Sequence, residues 1–331
     1  MKFTLGSVLE RRPIWVSFFV KRILIAVGLL FAVATVVFVM IQSVPGDPAA
    51  LLLSGDAGGA SPEAIAALRA ELGLDRPILI QFVTYIGGLL TGDLGMSYVH
   101  RQPVLDLLLE RLPNTLELVA YAGLVSVVLG IIFGVVSAAM FRGNGTIFSA
   151  LTSFGLSAPV YVLGTLLVYF VSVKLGWLPA GGFTSFSDDP ARHSKLLILP
   201  VISIAIGLTA IIARTTRSSV LETRQQDWVR TARAQGHSSR RVWVHAILRN
   251  SLTPVLTITG LEVGILVGST VLVERVFSWP GLSSLLMESV KARDYPLLQG
   301  VILLTASIFI IINVVVDFLY GVLDPRARSG T

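Results

Sequence analysis

Residues 23–41 read ILIAVGLLFAVATVVFVMI, a run interrupted only by Gly28 and Thr35. A hydrocarbon layer about 30 Å thick is crossed by roughly 20 apolar residues in a helix. This stretch therefore makes lipid one of the chain's solvents. Residues 115–141, 147–173, 196–213, 255–273 and 297–323 pass the same test. The predicted fold is an all-α integral membrane protein with six transmembrane helices, the first at 23–43. A shorter apolar run, 77–90, carries Gln81, Gly87 and Gly88 and reads as interfacial or re-entrant.

Composition agrees with this. Of 331 residues, 53% are hydrophobic and 14% charged, with a mean hydropathy of +0.78. Soluble domains carry roughly 25% charge, so one or two soluble globules are excluded. The absence of cysteine excludes disulfides, thiolate metal sites and a cysteine nucleophile. The first span is too long for a signal-peptide core and runs into Val44-Pro45-Gly46-Asp47-Pro48 rather than a small-residue cleavage site. Residues 1–22 are thus expected to remain attached as an N-terminal extension.

Charge sets the expected orientation. With the N-terminus inside, the inner segments 1–22, 142–146, 214–254 and 324–331 hold 16 of the 26 Lys/Arg, against Glu10, Glu222, Asp227 and Asp324. The outer segments hold 10 Lys/Arg against 13 acids. This asymmetry follows the positive-inside rule and places both termini in the cytoplasm.

Between the spans, 44–114 is too long for a connector. Ser61-Pro62-Glu63 starts a helix that should end at Gly73, and Asp75-Arg76-Pro77 restarts the chain. A lid over the outer mouth and a docking surface for an external partner both fit. The loop 175–195 is rich in Gly, Ser and Asp and specifies no ligand.

The inner loop 214–254 has eight arginines and no lysine. Its middle reads Gln226-Asp227-Trp228-Val229-Arg230-Thr231-Ala232-Arg233-Ala234-Gln235-Gly236. Asp227 suits a helix start, the alanines favour helix, and Gly236 supplies a left-handed stop. Ser238 can then cap a second helix, 239–249. Small residues at Thr231, Ala232 and Ala234 leave a slim surface able to seat in another protein's groove. Membrane lipid is a partner for some arginines, notably Arg214 and Arg249 at the bilayer boundary. Nucleic acid is not, because no aromatic stacking platform accompanies them.

Taken in order, these segments resemble the permease subunits of type I ABC importers, in the peptide/nickel branch. Asp227–Gly236 is similar to their cytoplasmic "EAA" loop, with Thr231-Ala232-Arg233-Ala234 where Glu-Ala-Ala is usual and Gln235 where Lys is common. Other matching segments are Val44–Pro48, Gly92-Asp93-Leu94-Gly95, Glu110-Arg111-Leu112-Pro113-Asn114-Thr115-Leu116 and Lys174-Leu175-Gly176-Trp177-Leu178-Pro179. Phe277-Ser278-Trp279-Pro280-Gly281-Leu282, Arg293-Asp294-Tyr295-Pro296 and Leu323-Asp324-Pro325-Arg326 complete the series.

The resemblance implies a type I transmembrane domain at 115–323, in a bacterial inner membrane. It implies a second, homologous permease as heterodimer partner, two cytoplasmic ATPase subunits or one fused ATPase, and an extracytoplasmic solute-binding protein. ATP-Mg would be used by the ATPases, with no cofactor on this chain. Asp227, Trp228, Arg230, Thr231, Ala232, Arg233, Ala234, Gln235 and Gly236 would form the ATPase-coupling element. Di- or oligopeptides are the implied solute, with nickel complexes or glutathione as alternatives.

The residues themselves agree by omission. No Gly-x-x-x-x-Gly-Lys-Ser/Thr loop, no His-Glu-x-x-His or other metal-ligand spacing and no Gly-x-Ser-x-Gly elbow occurs. The expectation is a non-catalytic permease.

Carboxylates within spans cost roughly 2.5–3.5 kcal/mol at the bilayer centre and need a reason. Glu262 lies mid-span and is a candidate for the translocation path. Asn313 and Asp317, one turn apart, share a face and form a second candidate. Glu117 sits near the outer end of its span. Interhelical hydrogen bonding is the other reading of all three carboxylates. A secondary transporter coupled to ions through Glu262 and Asp317 is the rival class. Gly260, Gly264 and Gly268 form a small-residue ladder expected to pack against a neighbouring helix. Pro159 and Pro200 are expected to kink or unwind their spans.

Overall fold

The structure, a computed structural model, describes residues 12–53, 61–140 and 145–323. Among these the helices are α1 Arg12–Gln42, α2 Pro48–Leu53, α3 Pro62–Glu71, α4 Ile78–Thr91, α5 Val104–Met140, α6 Thr146–Ser157 and α7 Val160–Leu167. They continue with α8 Pro190–Gln225, α9 Asp227–Ala234, α10 Ser239–Arg241, α11 Arg249–Val276, α12 Leu282–Ala292 and α13 Tyr295–Leu323. A π-helical segment, Val168–Lys174, extends α7, and another, Val242–Leu248, joins α10 to α11. Among the described residues, four helices (α1, α5, α8, α13) are long and apolar enough to cross a bilayer. Two bent pairs raise the total to six if each is one span.

Contacts divide the chain into two units. One comprises residues up to 113 with 281–314; the other comprises 114–280 with the end of α13. In the first unit the local chemistry follows the sequence closely. Ser61 Oγ accepts from the Ala64 N–H at 3.2 Å, Gly73 turns with φ +66°, and Gly92 closes α4 with φ +79°. The core of this unit is Val104, Leu107, Leu108, Leu282, Leu285, Leu297 and Val301. Asp294, 1% exposed, pins the loop that precedes α5. Its carboxylate accepts from Ser97 Oγ and from the N–H groups of Tyr98 and Val99, each at 3.2 Å. It also accepts from Leu297 N–H at 3.3 Å, capping α13. α5 begins at Val104 rather than at the apolar boundary near Thr115, and it carries Pro113 inside it.

The second unit is organised around α8, whose apolar stretch is the most buried of the four long spans. The two prolines expected to disturb spans behave differently. At Pro159 the chain bends by 99° between α6 and α7. Ala158 is extended there (ψ 122°), as the residue before proline prefers. At Pro200 the helix does not unwind, and α8 runs through. Leu196, Leu197, Leu199, Val201, Ile204 and Ala205 are buried around it, so tertiary packing holds the helix across the lost hydrogen bond.

The close approach expected along the 260/264/268 ladder is absent at Gly268. A Cβ on Gly268 would meet nothing within 4 Å. The tight crossing lies elsewhere, at Gly130 and Gly134 of α5. A Cβ at Gly130 would come within 2.6 Å of Ile212 Cβ, and one at Gly134 within 2.5 Å of Thr216 Cβ and 2.7 Å of the Ala213 carbonyl oxygen. Any side chain there forces α5 from α8. Overpacking of this kind costs about 1–3 kcal/mol. Gly134→Ala should lower the thermal unfolding midpoint of the purified protein, whereas Gly268→Ala should leave it within error. Equal midpoints for the two variants would contradict the assignment of the contact.

Candidate functional site: a short exposed helix and the polar ties behind it

α9 is the eight-residue helix Asp227–Ala234. Gln226, extended at φ −63° and ψ 143°, separates it from the end of α8. Asp227 opens its first turn, where the helix dipole favours a carboxylate. Its end is a tight reversal: Gly236 N–H reaches the Arg233 carbonyl at 3.0 Å and His237 N–H the Ala232 carbonyl at 3.3 Å. Gly236 has φ +81°, and a Cβ there would meet nothing within 4 Å. Glycine is thus required by backbone conformation and not by space. Ser238 stands at the start of α10 without a side-chain capping bond.

One face of α9 is anchored. Val229 is fully buried in a cluster with Ala138, Val220, Val242 and Ile247, against which Ala232 also packs. The remainder of the helix is open. Asp227, Trp228, Arg230, Thr231, Arg233, Ala234, Gln235 and Gly236 are all exposed. Trp228, an apolar ring 42% exposed, is unusual in so polar a segment. Arg230 and Asp227 approach to 3.7 Å but are 76% and 97% exposed, so solvent screens the pair and it contributes little. Behind the helix, Arg217 donates to the Ser137 carbonyl at 2.8 Å and lies 5.1 Å from the centre of the Phe148 ring. Arg214 donates to Ser153 Oγ at 3.2 Å. These two arginines brace helices. The exposed Arg230, Arg233, Arg240 and Arg241 present positive charge around α9.

The path candidates fare differently. Glu262 is half-buried, and among the described residues it makes no hydrogen bond or ion pair. Asn313 donates to the Phe309 carbonyl at 2.8 Å. The side chain of Asp317, the other member of that pair, lies outside those described.

Glu117 resolves as an interhelical contact. Its Oε1 lies 2.8 Å from His193 Nε2 on α8, while His193 Nδ1 lies 2.7 Å from the Thr184 carbonyl. Both ring nitrogens face acceptors. The pair is satisfied as imidazolium with carboxylate, or as neutral imidazole with a protonated carboxyl. His193 is 3% exposed, packed edge-on by Phe183, Phe186 and Trp279.

Sequence reasoning missed the companions of this contact. Glu274, 1% exposed, accepts from Thr115 Oγ1 at 2.7 Å. Trp279 Nε1 donates to the Asn114 carbonyl at 3.0 Å, and Asn114 Nδ2 returns a bond to the Pro280 carbonyl at 2.8 Å. The available signal was Glu274 itself, a carboxylate one residue beyond the apolar stretch 255–273.

Comparison with known proteins places these features. The family described as "Binding-protein-dependent transport system inner membrane component" matches residues 126–329, and its N-terminal companion matches residues 15–119. A Brucella abortus (strain 2308) protein named as a peptide transport system permease is 41% identical over 310 residues, covering 93% of this chain and 98% of that one. The glutathione transport system permease of Escherichia coli O6:H1 is 39% identical over 314 residues, covering 94% and 99%. The solved inward-facing MetNI methionine ABC transporter aligns with a TM-score of 0.54 at 18% identity, covering 66% of this chain and 96% of that one.

Two measurements test the side-chain assignments. Glu117→Ala strands a buried imidazole nitrogen, worth about 1–3 kcal/mol, whereas Glu117→Gln keeps a partner for it. Thermal unfolding followed by tryptophan fluorescence should show a large loss for Ala and a smaller one for Gln. Because the chain has no cysteine, Glu262→Cys gives a single thiol. It should react with a polar thiol reagent in at least one nucleotide state of the assembled transporter, and protection in every state would make position 262 structural.

Proposed function

Because the chain belongs to the family of binding-protein-dependent transport system inner membrane components and is a multi-pass permease subunit of an ABC importer, we propose that it carries di- or oligopeptides. The named relatives support this class, since glutathione is itself a tripeptide. Membership in the family sets aside the ion-coupled secondary transporter.

In the proposed arrangement residues 214–254 face the cytoplasm with both termini, a reading that the arginine distribution supports. A second, homologous permease completes the translocation path. Two ATPase subunits, or one fused ATPase, bind below it and consume ATP-Mg. A solute-binding protein delivers peptide from the other side. This chain performs no catalysis; it converts movement of the ATPases into movement of its helices.

The observation that carries this reading is α9: a short helix held by Val229 on one face and closed by a left-handed glycine. Its other face is exposed and needs a partner. A groove on an ATPase would receive Trp228, Thr231 and Ala234, while Arg230 and Arg233 flank the contact. Force applied there passes to α8, through Gln226, and to α11, through the π-helical segment Val242–Leu248. Asn313 on α13 and Glu262 on α11, both half-buried, stand as candidates for the path.

The test is Gly236→Val. A β-branched residue with φ near +80° costs at least about 1–2 kcal/mol, with no steric clash to confuse the result. Peptide uptake should be abolished while membrane insertion and permease pairing persist, and ATP hydrolysis should no longer respond to loaded binding protein. Normal uptake by this variant would refute α9 as the coupling element.

A further inference from the structure

A cavity of about 380 Å³ lies entirely within the first unit, among the end of α1, the segment after it, α3, α4 and the start of α13. Two phenol oxygens on its wall, those of Tyr85 and Tyr295, are buried without a hydrogen-bond partner. Tyr295 is only 8% exposed. Buried side-chain hydroxyls are nearly always satisfied, so two orphans on one wall mark a place where a polar group belongs.

The rest of the wall narrows its chemistry. Arg69 is occupied, 3.5 Å from Asp47. Gln81 accepts from Gln42 at 3.0 Å and donates to the Arg76 carbonyl at 2.8 Å. The Arg76 guanidinium, by contrast, has no ion pair among the described residues. Phe38 stacks on Tyr85, ring centres 5.7 Å apart, and fixes its direction. Burial pushes the Tyr85 phenol up to about 12, so its proton is available at any physiological pH. The wall thus offers two unpartnered phenol hydroxyls and one unpaired guanidinium, and its one carboxylate, Asp47, is already paired. Such a set recognises an oxyanion.

The position of the cavity bears on the source of that anion. Gln81, Thr84 and Tyr85 of α4 line it. Leu79, Val83 and Leu90 of the same helix are 77%, 68% and 85% exposed. Such an apolar outward face suits contact with lipid, which brings the polar side chains of α4 that line the cavity within reach of headgroups.

We infer that this cavity binds a singly charged oxyanion, either the phosphodiester of a lipid headgroup or the carboxylate of a small soluble solute, through Arg76 and the hydroxyls of Tyr85 and Tyr295. The test uses the full chain in its assembled transporter. In one arm, phospholipid retained after extraction from phosphatidylethanolamine/phosphatidylglycerol vesicles is counted by native mass spectrometry. In the other, the shift of the thermal midpoint by N-acetyl-dialanine is measured. The double variant Tyr85→Phe with Tyr295→Phe keeps the rings, and Arg76→Gln changes an exposed position, so folding is not at risk in both.

Each variant should reduce binding roughly fivefold or more, the loss expected for about 1 kcal/mol. Loss in the lipid arm identifies a headgroup, and loss in the peptide arm identifies a solute carboxylate. Unchanged binding in both arms, or no binding by the parent chain in either, overturns the inference and leaves a cavity for water.

Discussion

Gly130 and Gly134 let α5 and α8 meet with no side chain between them, and the second unit is arranged around that approach. In a bilayer the hydrophobic effect does not drive helices together, because lipid is as apolar as leucine. Association must come from close packing and from hydrogen bonds that lipid cannot offer. The glycine crossing supplies the first. It makes α8 the central helix, and α6, α7 and α11 take their places against it. Gly155 of α6 approaches Ala210 of α8 in the same manner, with 3.1 Å between the Ala210 methyl and the position of an added Cβ.

Hydrogen bonds supply the second part. Glu117 with His193, Thr115 with Glu274, and Asn114 with Trp279 and Pro280 tie the middle of α5 to α8 and to the end of α11. Each tie uses a group too costly to leave alone in a dry environment. Toward the other end of α5 sits the short exposed helix, anchored by Val229 alone among its residues as a fully buried side chain. The assembly is rigid where buried groups are satisfied and open where a partner must bind.

Much of this was legible in the sequence because the relevant signals are local. The apolar runs, the Ser61 cap, the restart at Pro77 and the left-handed turns at Gly73, Gly92 and Gly236 each depend on a few neighbouring residues. What escaped was tertiary. Gly268 ends a regular small-residue ladder in the sequence yet has open space beside it, whereas the less conspicuous Gly130 and Gly134 face a helix close enough to need them. Pro159 and Pro200 look alike in sequence; the burial of Pro200 and of most residues around it separates their fates. Glu274 lies just past an apolar boundary, where charge counting assigned it to a loop. The residues proposed for coupling were legible as a motif, whereas Glu262 and Asn313 sit on faces that no periodicity distinguishes.

The polar ties also impose an order on biosynthesis. Asp294 holds Ser97, Tyr98 and Val99, nearly 200 positions upstream, and Glu274 holds Thr115 from 159 positions away. A ribosome adding about 5–20 residues per second leaves the loop at 97–99 without its carboxylate for roughly 10–40 s. During that interval α5 is made, yet the donors at its approach are answered only by water. The turn before α5 therefore lacks these bonds until Asp294 has been made, and a chain truncated before Asp294 is left with that turn unfastened.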